Sequence, residues 1–71
     1  DTYLNGVNGA LLIQQGKHDT ALPFLTRACV SAKARREAEL LTTTYTEMWS
    51  ALPRAKDKGV RDAALKCLKG D

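Results

Sequence analysis

The segment Gly16-Lys17-His18-Asp19, with Pro23 just beyond it, constrains the fold of this chain more than any other feature. Residues of helical period lead into Gly16, and glycine supplies the left-handed conformation that ends a helix. Lys17 follows beside the negative end of that helix dipole. Asp19 is placed to cap the next helix by accepting from the free N–H groups of Ala21 or Leu22. Pro23 then falls in the first turn, where its missing N–H costs little. Together these residues predict a tight antiparallel helical hairpin.

The remaining punctuation is sparse. Pro53 is the only other proline, and the other glycines stand at 6, 9, 59 and 70. β-Branched residues cluster only at Thr42, Thr43, Thr44 and Thr46, and no segment alternates as a strand would. The expected fold is therefore all-α, a small antiparallel bundle of three to four helices. The first helix is expected from about Leu4 to Gln15, starting at Asn5 or Asn8 if the two Asn-Gly pairs form turns. The second runs from about Thr20 to Ala32 or beyond, with Leu22, Leu25, Cys29 and Ala32 as its seam. A later seam, Ala38, Leu41, Tyr45, Met48 and Leu52, is out of register with it, which predicts a break within Ser31–Arg36. One long bent helix over 20–52 is the alternative. Pro53 closes the third helix, Arg36 to Leu52, and a charged loop over 54–58 leads to a fourth helix ending before Gly70.

A chain of 71 residues makes one domain. The expected organisation is a single helical domain over 1–71, with a first hairpin over 5–32 and a second helix pair over 36–69. An opening Asp1 rather than Met raises the expectation of a piece excised from a longer chain. A domain this short buries only about 60% of its unfolded surface, so it needs a staple, a partner or very regular packing. Cys29 and Cys67 lie 38 residues apart with no CxxC and one histidine, which argues against zinc. They are expected to be reduced, buried thiols acting as small apolar residues, although a single disulfide is geometrically possible.

The formal charge is +3, and its distribution matters more than its sum. Arg27, Lys33, Arg35 and Arg36 outweigh Glu37 and Glu39, and the segment from Arg54 onward is again basic. These basic residues carry one alternative reading, a nucleic-acid-binding helical module. Acidic residues interrupt each run and no aromatic is interleaved, which weakens it. No leader sequence is visible, and the longest apolar run, Ala10–Ile13, is too short to span a bilayer. The expectation is a cytoplasmic or nuclear protein without membrane insertion.

Residues 11–28, LLIQQGKHDTALPFLTRA, resemble the turn and second helix of a tetratricopeptide repeat (TPR). Gly9 falls at that family's small position in the first helix and Leu12 at a bulky one. Gly16 matches the turn glycine, and His18 takes the place of an aromatic at the start of the second helix. Ala21 matches the small packing residue, Leu25 a core residue and Ala28 the small residue near the repeat's end. Asn5, Asn8 and Lys33 depart from the pattern, and the second half follows it only loosely. A weaker similarity is to the MIT domain, a three-helix peptide-binding bundle with a long second helix. The TPR resemblance implies a protein- or peptide-binding scaffold whose concave surface comes from the first helix of each pair. On this chain the matching positions are Tyr3, Gly6, Ala10, Ile13 and Gln14, with specificity from Gln14 and nearby Arg35 and Arg36. It also implies neighbouring repeats or self-association, because isolated repeats leave apolar faces uncovered.

No catalytic constellation stands out, and no catalytic residue, metal or cofactor is expected. His18 lacks a nearby nucleophile, Glu37 and Glu39 point to different sides of a helix, and Gly6 and Gly9 follow no strand. The threonine run reads as a solvated or back-bonded helix face. Trp49 is offset by one from the apolar seam, which makes it a candidate anchor for a partner at the seam's edge.

Overall fold

A computed structural model describes residues 1–70, so only Asp71 of the expected domain lies outside it. Four helices follow one another: α1 (Thr2–Gln14), α2 (His18–Arg35), α3 (Ala38–Ala51) and α4 (Lys58–Lys69), with a 3-10 turn at Leu52–Arg54. No strand occurs among the described residues, and the all-α bundle is the fold observed.

α1 begins earlier than the Asn-Gly pairs suggested. The Asp1 carboxylate accepts from the Leu4 N–H at 3.0 Å, and the Asn5 side chain donates to the Asp1 carbonyl. Those bonds cap the helix at Thr2 and carry both glycines inside it. Gly16 ends α1 with φ 77°, while its N–H reaches the Ile13 carbonyl and the Lys17 N–H that of Leu12. These two bonds define a Schellman stop.

α2 also begins earlier than expected, at His18, because the Lys17 carbonyl already accepts from the Ala21 N–H. Asp19 therefore sits in the first turn and is not the cap. Its carboxylate instead accepts from the N–H groups of Lys56 and Asp57, at 2.8 and 2.9 Å. This fastens the loop before α4 to the start of α2, and Asp57 in turn caps α4 through the Val60 N–H. Pro23 consequently lies inside α2.

The break between the two seams is real, so a continuous helix over 20–52 does not form. α2 extends to Arg35, and Arg36 takes the left-handed conformation at φ 56°. The Arg36 and Glu37 N–H groups then close onto the Lys33 and Ala32 carbonyls. This is the same stop as at Gly16, made without glycine.

α2 is the central helix, and α1, α3 and α4 all pack on it. The last two helices thus do not repeat the first hairpin, because α4 returns to α2. Leu22, Leu25, Met48 and Cys29 are the largest fully buried side chains. So small an apolar interior leaves little surplus over chain entropy. The missing stability comes from a covalent bond: Cys29 and Cys67 are joined, with Cα atoms 6.5 Å apart. This corrects the expectation of reduced thiols. Closing a loop with a 38-residue separation is worth about 4 kcal/mol in the chain-entropy account. A pair of cysteines with neither metal spacing nor CxxC could be read either way, and only the packing of α4 on α2 brings the sulfurs together.

Candidate functional site

α1 and α3 flank a groove of about 230 Å³. Tyr3, Gly6, Val7 and Ala10 line it from α1, and Leu40, Thr43, Thr44 and Glu47 from α3. Each set repeats at i, i+3, i+4 and i+7, the spacing of one helix face. The middle of the α1 wall is open because Gly6 and Ala10 are small. A Cβ added at Gly6 would meet nothing within 4 Å, and Ala10 contributes only a methyl group.

The depth of the groove follows from how closely α1 lies on α2. At Gly9 a Cβ would fall 2.5 Å from Leu25 Cδ2, so only glycine allows this approach. Thr2 anchors the other end. Its Oγ1 lies 2.6 Å from Ser31 Oγ and 2.8 Å from Glu37 Oε1. The carboxylate can only accept, so the Thr2 proton goes to Glu37 and Ser31 donates to Thr2. One buried threonine thereby ties the start of α1 to α2 and to the turn before α3.

The threonines of the α3 wall bond back onto their own helix. Thr42, Thr43, Thr44 and Thr46 each donate to the carbonyl four residues earlier, so the run is a back-bonded helix face. Thr43 and Thr44 thus present mainly methyl groups to the groove. Among the described residues Glu47 is the only carboxylate lining it, and no basic residue does. Burial away from water pushes the Glu47 carboxyl above its ordinary pKa.

The expected partner residues divide into two groups. Tyr3, Gly6 and Ala10 line the groove together. Ile13 instead packs onto the core, since it continues the buried stripe of Gly9. Gln14 is exposed but does not line the groove, and Arg35 and Arg36 are exposed at the far end of α2. Trp49 is 55% exposed, as its offset from the seam implied, and lies two residues past Glu47 on a different side of α3. Val7, Leu40 and Glu47 were missed. Leu40 and Glu47 stand at i and i+7 on α3, a spacing that was legible once the helix was placed.

A second depression, of about 340 Å³, lies between α2 and α4 over the disulfide. There the Thr26 hydroxyl is buried without a partner among the described residues. Lys33 donates to the Cys67 carbonyl and approaches the Tyr45 ring at 5.9 Å, so its charge serves the end of α4. Other basic residues are also engaged internally. Arg27 stacks on Phe24 at 5.0 Å, and Lys58 pairs with Asp62 at 2.7 Å.

With both sulfurs bonded, no thiol is free for His18 to activate. Among the described residues, no three His, Cys, Asp or Glu side chains group as metal ligands would. No helix among them is long and apolar enough to cross a membrane. No family model, curated protein or solved structure matches this chain.

Proposed function

We propose that this chain is a non-catalytic, TPR-like helical module that binds a protein or peptide segment in the groove between α1 and α3. The observation that carries this reading is the composition of that groove. It is walled by apolar and small groups from two helix faces and, among the described residues, holds a single carboxylate, the partly buried Glu47. The complementary ligand is a segment with apolar side chains and one lysine or arginine to pair with Glu47. The α1 wall, with Tyr3, Gly6 and Ala10, comes from the first helix of the hairpin, the surface the TPR resemblance assigns to ligand.

A nucleic acid is the poorer ligand. The groove offers an acid where a phosphate needs a base, and Lys58 is paired with Asp62. The disulfide favours an oxidising compartment over the cytoplasm or nucleus expected from the sequence.

Selection from a displayed random-peptide library tests the reading. The expected result is enrichment of apolar peptides carrying one Lys or Arg, with Glu47→Gln erasing the basic preference. Filling the groove by Ala10→Leu should weaken the selected peptides about tenfold or more, a loss typical of a central contact. Absence of enrichment, or peptides indifferent to both substitutions, contradicts it.

A further inference from the structure

We infer that the outer face of α1 is a self-pairing surface, on which a second copy of this chain packs its own α1 antiparallel about a two-fold axis. Leu4, Val7, Leu11 and Gln14 recur at spacings of 3, 4 and 3, the seam of a helix that packs on another helix. They fall within about 80° of one another around the axis, on the side of α1 away from Gly9 and Ile13. Leu4 is 57% exposed, Val7 38% and Leu11 50%, so the seam is left largely uncovered among the described residues. α1 therefore carries an open apolar face besides those turned to α2 and to the groove.

The occupant is argued from charge. α1 is the only one of the four helices without a single charged side chain. A partner of different sequence would gain selectivity from complementary charges along such a seam. A two-fold interface has the opposite requirement, because residues near the axis meet their own copies and any charge there meets its like. An uncharged helix meets that requirement. Antiparallel pairing centred beside Val7 sets Leu4 of one copy against Leu11 of the other, twice. Asn8 borders the seam and Gln14 ends it, both as exposed neutral hydrogen-bonding groups. This surface is distinct from the groove, with Val7 the residue common to both.

Sedimentation velocity of the disulfide-intact chain over a concentration series tests the inference. The wild type should show a monomer–dimer equilibrium, and Leu11→Lys should raise its dissociation constant about tenfold or more. Leu4→Glu combined with Leu11→Glu should stay monomeric. Leu4→Glu combined with Leu11→Lys should dimerise again, because the two-fold brings the opposite charges together. Both positions are exposed, and unchanged far-ultraviolet circular dichroism verifies the fold of each variant. A wild type that is monomeric at every concentration overturns the inference. So does a dimer insensitive to Leu11→Lys, or paired variants that behave alike.

Discussion

Cys29, in the middle of α2, is bonded to Cys67, in the last turn of α4, and both are buried. No other covalent link holds α4, whose strongly amphipathic face rests on a core with few large side chains. Loss of the bond removes about 4 kcal/mol from the stability of a small domain. Reduction, or replacing both cysteines by alanine, should lower the Tm by about 15–30 °C at this chain length. Thermal melts with and without reductant measure it, and a shift of only a few degrees would contradict the role given to the bond.

The two glycines of α1 should respond to alanine in opposite directions. Gly6 has open space where a Cβ would go, so Gly6→Ala should stabilise the helix by about 0.5–1 kcal/mol. At Gly9 the added carbon collides with the side chain of Leu25, which is fully buried and must shift within a packed core. Gly9→Ala should destabilise by about 1–3 kcal/mol despite the gain in helix propensity. Urea denaturation of the two variants checks the contrast, and equal signs would show that α1 does not lie as close to α2 as described.

Arg36 adopts a backbone conformation that costs a residue with a Cβ about 1 kcal/mol. Its side chain is exposed, so little packing is lost on removing it. Arg36→Gly should therefore stabilise the protein by about 0.5–1 kcal/mol in equilibrium unfolding. A loss of stability would mean that the α2–α3 turn is not the Schellman stop seen here.

The raised pKa of Glu47 has a definite consequence for pH dependence. The folded protein holds that proton more tightly than the unfolded chain does. The stability this confers is full below the unfolded value, near 4.5, and is lost as pH rises through the folded value. Glu47→Gln should then be more stable than wild type at neutral pH, with the gap closing as the solution is acidified. Chemical denaturation of both proteins across that range measures the difference, in which the other carboxylates cancel. A gap that stays constant with pH would show that Glu47 is not desolvated in the groove.

How far the fold could be read from residues depended on whether the signal was local. Gly16 announced its turn because a left-handed stop needs little beyond the glycine itself. The seam of Leu22, Leu25, Cys29 and Ala32 was legible from its period, and all four are buried. The α2–α3 break showed only as a slip in register, because Arg36 performs a glycine's task at some cost. Asp19 was misread for a different reason. A carboxylate near a helix start serves equally well as a local cap or as an acceptor for a distant loop, and Lys56 and Asp57 are far away in sequence. The disulfide and the α1/α3 groove depend on which helices meet, which no single helix encodes. Tyr3, Gly6 and Ala10 came from the TPR resemblance, whereas Glu47 needed the packing of α3.

The most direct test of the account is amide chemical-shift mapping of a library-selected peptide on the isotope-labelled protein. Shifts should concentrate in 2–10 of α1 and 40–47 of α3, and should disappear in Ala10→Leu at the same peptide concentration. Shifts confined to α2 and α4, or unchanged by that substitution, would contradict the assignment of the groove as the docking site.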